Sequence, residues 1–291
     1  MLLPATATPG FWDWSFDPPL VLVIDLAIIY WIGDRRTLTP ERTRSAQRWR
    51  NICFYASLAV LAIALASPIE LLSAKLFWVH MIQHVLLLVV AAPLFVLARP
   101  WIRLWRFLPL STRRSLGRAL SQGQRTAPLR SLSATIGSPS VSFVLFSVVL
   151  LTWHLPVLFD ATLRSSALHG LEHTLFFCTA LLFWKQVLHS PPLRAPLSSP
   201  QRVAYLIGAM IVSWVLAVVL ALAPHPLYSY YAHEAARPGG ISALADQQIA
   251  AGVMWVPGSI TFLIVIFAYL NRWLSPPAPT PAPAPRLASG H

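Results

Sequence analysis

Two short segments carry the same H-x-x-x-H spacing: His80-Met81-Ile82-Gln83-His84 and His169-Gly170-Leu171-Glu172-His173. Residues four apart on a helix lie about one turn apart on the same face, so either pair can offer two imidazoles to one metal ion. Imidazole suits copper, zinc and iron. A thioether nearby favours Cu(I), which brings in Met81 and Met254 as soft ligands. Spacing alone does not choose among these metals. The H-E-x-x-H pattern is absent, which disfavours a zinc protease.

Acidic residues accompany the histidines. Glu172 sits beside His173, Asp160 comes just after the apolar run that holds His154 and ends at Leu158, and Asp246 leads Gln247 and Gln248. A carboxylate can fix the tautomer of a ligating histidine, and Glu172 and Asp246 are the preferred residues for that supporting role. Asp25, alone within an apolar run, either joins this network or bonds a neighbouring helix. The expected metal site is therefore His80, His84, His154, His169 and His173. Met81, Asp160, Glu172, Asp246, Met254 and Asp25 are additional or supporting residues.

The elements that must position these groups are membrane helices. Of 291 residues, 56% are hydrophobic and only 11% are charged, against roughly 25% charged in an ordinary soluble domain. Apolar runs cover Pro18 to Ile32, Ile52 to Leu72, Leu76 to Ala98, Val141 to Leu158, Ala167 to Leu188, Val203 to Ala223 and Ile249 to Leu270. The expectation is an all-α, polytopic bundle of about seven transmembrane helices over residues 18–274. An outer segment (1–17) precedes it and a proline-rich cytoplasmic tail (275–291) follows. The first ten residues, MLLPATATPG, lack the basic stretch of a secretory signal, so the first apolar run is expected to stay in the membrane.

The net charge of +12 is a matter of topology. Arg35, Arg36, Arg42, Arg44, Arg48 and Arg50 fill the first connection, and the basic loop 99–138 holds eight more arginines. Only Lys75, Arg164 and Arg237 fall in the alternate connections. The positive-inside rule then places the N-terminus outside and the C-terminus in the cytoplasm, and the basic balance implies lipid headgroups rather than nucleic acid. With that orientation the histidine pairs and His154 lie at the outer ends of their helices. His225 and His233 belong to the last outer loop and read as hydrated surface side chains, while His189 and His291 are on the inner side.

Smaller features fit the same frame. In RPWIRLWRFLPL, Trp101, Leu104, Trp105 and Leu108 share a helical face while Arg103 and Arg106 take others, which predicts an interfacial anchoring helix. Cys53 and Cys178 are far apart in apolar runs and read as small buried side chains, with no redox or metal motif. Trp153, Trp184, Trp214 and Trp255 read as packing or interface residues. Gly239 and Gly240 read as turn residues, and Pro93 and Pro156 as sites where helices kink or end.

Taken in order, His80-Met81-x-Gln83-His84 with Ala92-Pro93, Trp153-His154-x-Pro156, Phe159-Asp160, Leu168-His169-x-Leu171-Glu172-His173, Phe183-Trp184 and Asp246-Gln247-Gln248 with Met254-Trp255 resemble the CtaG-type cytochrome c oxidase assembly factors. The resemblance runs from about Leu76 to Leu270 and omits the arginine-rich loop and the tail. It implies a multi-pass bacterial plasma-membrane protein, not an enzyme, that helps mature a haem-copper oxidase by handling copper. Apo oxidase subunits would be its partners, together with an outer-side copper donor. A single-span copper chaperone of the same name uses cysteines, and this chain has neither that architecture nor paired cysteines, so any copper rests on His, Met and carboxylate.

Copper is thus the expected ion, with zinc and haem ranked behind it. Two other readings stand beside this one. A membrane redox enzyme with haem or di-iron would use the same histidine pairs, and an intense Soret band would reveal haem. A structural scaffold or a permeation pathway would use the histidines only to brace the bundle or relay protons. The apolar inner halves LLLVVAAPLFVLA and FLIVIFAYL speak against permeation.

Overall fold

The computed structural model describes residues 14, 18–37, 40–193, 195–234 and 237–275, the side chain of residue 42 excepted. Most of the expected outer segment (1–17), the tail beyond Ser275 and His291 lie outside the described residues. The described chain is all helical, with no strand apart from one isolated bridge between Ser190 and Leu193.

The order begins with α1 (Pro18–Arg35), α2 (Arg44–Ala66) and the short α3 (Pro68–Ser73). Next come α4 (Phe77–Val85), a π-helical stretch (Leu86–Ala91) and α5 (Ala92–Ala98), which together form one rod. The basic loop folds into α6 (Trp101–Arg106), α7 (Leu110–Gln122) and α8 (Ala127–Ile136). Then follow α9 (Pro139–Trp153), α10 (Pro156–Arg164), α11 (Ser166–Val187) and α12 (Ser199–Leu222). The chain closes with the single turn α13 (Ser229–Ala232) and the long α14 (Ala243–Leu274).

Among the described residues, four helices are long and apolar enough to cross a membrane: Arg44–Ala66, Phe77–Ala98, Ser199–Leu222 and Ala243–Leu274. A fifth is added if Gln124–Ile136 and Pro139–Trp153, bent by 72°, form one broken span. This falls short of the expected seven, for reasons visible in the residues. The 18-residue α1 carries Asp25, Asp34 and Arg35, and α11 is diluted by His169, Glu172, His173 and Lys185.

Boundaries also shift. The apolar run to Leu72 breaks at Ser67-Pro68, since proline cannot continue a helix but suits a first turn. Ser67 accepts from the Ile69 N–H (3.2 Å) and starts α3 with Glu70 in its first turn. The run to Leu158 likewise ends at Trp153, because Pro156 restricts the residue before it and opens α10.

Pro93 leaves the central rod without one backbone N–H, and the π-helical stretch just before it has a widened hydrogen-bond ladder. Neighbouring helices take up carbonyls there: Trp184 Nε1 donates to Leu88 O (2.8 Å) and Ser57 Oγ to Ala91 O (2.8 Å). Irregular backbone in apolar surroundings persists only when its polar groups are satisfied in this way. Around this rod lie two apolar cores. One joins Met81, Leu88, Phe146, Phe176, Trp184 and Phe262; the other joins Tyr30, Phe54, Leu58, Leu87 and Phe95.

Two expectations are corrected at the surface. Cys53 is buried, but Cys178 is exposed on α11. Arg103 does not face away from the protein: its Nε lies 2.5 Å from Asp34 on α1 and the side chain is buried. The approach of α6 to α1 is so close that a Cβ on Gly33 would meet Arg103 O at 1.9 Å, which requires glycine there. Gly239 and Gly240 do take positive φ, as turn glycines should.

Candidate metal centre

The N-terminal halves of the α4–α5 rod and of α11 meet the C-terminal end of α9 at one end of the bundle, and the histidines collect there. His80 and His84 lie on one face of α4 with ring centroids 4.5 Å apart, and His169 and His173 on one face of α11 at 4.1 Å. The pairs face each other: His80 to His169 is 5.0 Å, His80 to His173 6.0 Å and His84 to His173 5.5 Å. His154 joins from the end of α9, 5.5 Å from His84.

Glu172 is the hub of this group. It is completely buried, and its carboxylate stands 3.8 Å from His80 Nε2 and 3.5 Å from His84 Nε2. One ligand atom each from His80, His169, Glu172 and His173 fits within a 4.8 Å span. Four ligands about 2.0–2.1 Å from a tetrahedral ion stand about 3.3 Å from one another, so a modest contraction would close them around a metal.

Local hydrogen bonds prepare the rings. Pro156 ends α9 and frees its last carbonyls, one of which, Leu150 O, accepts from His154 Nδ1 at 2.7 Å. A carbonyl can only accept, so His154 carries its proton on Nδ1 and keeps a lone pair on Nε2. On α4, the Tyr231 hydroxyl donates to Ser73 O and so accepts from His80 Nδ1 (3.1 Å), which leaves the His80 Nε2 lone pair free toward Glu172. Burial pushes the Tyr231 hydroxyl well above its ordinary value, so it remains a donor. His169 Nδ1 lies 3.4 Å from Glu70, whose other oxygen takes Gln83 Nε2 at 2.5 Å.

After these bonds are made, eight buried polar atoms of the cluster make no hydrogen bond among the described residues. They are His80 Nε2, His84 Nδ1 and Nε2, His154 Nε2, His169 Nε2, His173 Nε2 and both Glu172 oxygens. An unpaired buried polar atom is costly, roughly 1–3 kcal/mol each, and so many converging on one point would be a severe defect in a merely structural core. Imidazole nitrogens and carboxylate oxygens are the donor types that metals accept, and seven of the eight can offer a lone pair at once, since a neutral His84 ring keeps a proton on one nitrogen. The donor set of imidazoles with one carboxylate fits Cu(II) or Zn(II).

Other expected residues stand elsewhere. Asp246 does not touch the histidines. Its oxygens accept from the Phe77 N–H (3.0 Å) and Trp78 N–H (2.9 Å), capping α4, with Arg237 Nε 3.5 Å away. An acid suits that position because a helix N-terminus leaves amides unpaired and carries positive dipole. Asp160 does the same for α13, accepting from the Ser229 N–H (3.1 Å), the Tyr230 N–H (3.2 Å) and the Ser229 hydroxyl. Met81 is buried in the apolar core, and Asp25 is exposed on α1 with no bond to the cluster. Met254 is buried and lines a small cavity beside His84 and His154. His225 and His233 are exposed, the latter bonded to Ser229 O.

Glu70 and Tyr231 were missed by sequence reasoning. Glu70 had left a signal, as the acid inside an apolar run; Tyr231 had none, being brought in by a loop from across the sequence.

Comparisons with known proteins identify the family. A family profile described as cytochrome c oxidase caa3 assembly factor (Caa3_CtaG) matches residues 28–275. An uncharacterized protein of Mycobacterium tuberculosis is 24% identical over 267 residues, covering 89% of this chain and 39% of the relative. An uncharacterized protein of Mycobacterium leprae is 23% identical over 274 residues, covering 90% and 40%. The chain thus spans about two fifths of the length of these curated relatives. No solved structure matches it. The family is one of assembly factors rather than catalysts, and it covers every element that carries the histidine cluster: the chain belongs to the cytochrome c oxidase caa3 assembly factor family.

Proposed function

We propose that this protein helps mature a haem-copper oxidase in a bacterial plasma membrane by holding copper, as cargo, in the cluster of His80, His169, Glu172 and His173. The observation that carries the reading is the set of buried, unpartnered donor atoms converging on Glu172. Apo oxidase subunits are the recipients, and an outer-side donor supplies the ion. In this reading α1 and α11 complete a seven-span bundle with α2, the α4–α5 rod, α9, α12 and α14. The arginine-rich connections lie in the cytoplasm and the cluster opens outward. Several imidazoles in reach of one ion favour stepwise ligand exchange over permanent capture.

A haem is disfavoured by room. Histidine rings 4.1 to 6.0 Å apart leave no slot for a macrocycle between them. Permeation is disfavoured by the apolar lining below the cluster, where Leu88, Val89, Leu150 and Phe262 surround the nearest cavity. The test is complementation of a deletion strain. Chains carrying His80→Ala and His169→Ala should reach the membrane yet leave the oxidase short of copper and inactive. Full oxidase copper content with both substitutions would refute the proposal.

A further inference from the structure

The cluster does not end at the four residues grouped around Glu172. One turn further along α4, His84 presents two buried nitrogens without partners, one of which faces Glu172. His154 presents a third, Nε2, with its tautomer fixed by the bond to Leu150 O. Both rings border a cavity of about 30 Å³, large enough for a water molecule and therefore for a bare metal ion. The remaining wall is apolar apart from Ser213 and the thioether of Met254. Met254 is 5% exposed and lies two turns beyond Asp246 on α14.

A hydrated dication has little to gain in such a place. It would lose its water shell to a pocket lined by Leu88, Val89, Phe146, Leu150 and Phe262, with no carboxylate facing the cavity. A monovalent soft ion is suited to it, because Cu(I) accepts few ligands and prefers neutral nitrogen and sulfur donors. We infer a second metal site, formed by His84, His154 and Met254, that takes one Cu(I) ion. It is distinct from the Glu172 group in both ligand charge and softness. His84 stands between the two, with Nε2 3.5 Å from Glu172 and its ring on the cavity wall. This inference rests on the copper reading above and adds to it a preference of valence: the outer group takes divalent ions, and the deeper site takes Cu(I).

The two readings separate in one set of measurements on the solubilised full chain. Zinc(II) probes the Glu172 group. Cu(I), supplied under reductant and competed with bicinchoninate, probes the deeper site. In the wild type, bound Cu(I) should show copper–sulfur scattering in its X-ray absorption spectrum. Met254→Leu, which nearly conserves volume, should abolish that scattering and weaken Cu(I) binding by about tenfold or more while leaving zinc stoichiometry intact. His154→Asn should give the same Cu(I) loss, and it decides the matter should Met254→Leu disturb zinc binding. Unchanged Cu(I) affinity in both variants, or wild-type copper without a sulfur neighbour, overturns the second site. Zinc binding that is indifferent to Glu172→Gln overturns the Glu172 group instead.

Discussion

Both ends of the bundle carry polar networks, part-buried at the arginine end and buried at the histidine end, yet they are built to opposite standards. At the arginine end, Arg103 pairs with Asp34, Asn51 Nδ2 donates to Asp34 (3.2 Å), and Tyr30 and Gln47 both donate to Asn51 Oδ1 (2.8 and 2.6 Å). None of these side chains has a buried polar atom without a partner. At the histidine end, eight atoms are left over. A satisfied network holds helices in place, here α6 against α1 and α2. A network that orients its rings but leaves their lone pairs unused is what the proposed metal cargo requires.

The sharpest way to break this comparison is to disturb each end and read both stability and metal binding. Glu172→Gln should have the largest effect on function, removing the charged hub and reducing zinc binding at least 100-fold, while leaving thermal stability equal or higher because a buried charge has gone. Arg103→Met should do the reverse. It leaves the partly exposed Asp34 without its cation, costs about 1–2 kcal/mol in unfolding measurements and leaves metal affinity unchanged. Glu70→Gln and Tyr231→Phe act at one remove, each loosening the orientation of one ring, and calorimetric titration should show affinity lower by about 10- to 100-fold. Asp246→Ala removes the cap of α4 and should cost about 1–2 kcal/mol in stability, with metal affinity shifted only as far as α4 frays. His225→Ala and His233→Ala should change neither quantity.

Much of the histidine end was legible in the sequence because its parts obey local rules. The i,i+4 spacing places His80 with His84 and His169 with His173 on helical faces without any tertiary information. Pro156 marks where α9 must stop, and with it the position of His154. What stayed hidden depends on pairing across the chain. Asp246 and Asp160 sit near the cluster in depth, so depth alone suggests a supporting role, whereas only the fold shows that each faces a helix N-terminus. Arg103 has the same explanation. Its place on an amphipathic pattern suggests a lipid-facing charge, and the partner that draws it inward, Asp34, lies 69 residues earlier. Length and apolarity support four or five spans among the described residues rather than the expected seven, because α1 and α11 carry charged and polar residues of the network and the site, which lower their apolarity.

The central claim is that the atoms left unpaired at the histidine end are metal ligands. Its most direct test is the metal content of the purified full chain after equilibrium dialysis against zinc, measured by mass spectrometry for the wild type and for the double variant His169→Ala, Glu172→Gln. One ion retained per wild-type chain and none in the double variant, with the same unfolding temperature or higher, is the predicted result. Equal metal content in the two proteins, or none in either, would contradict the account.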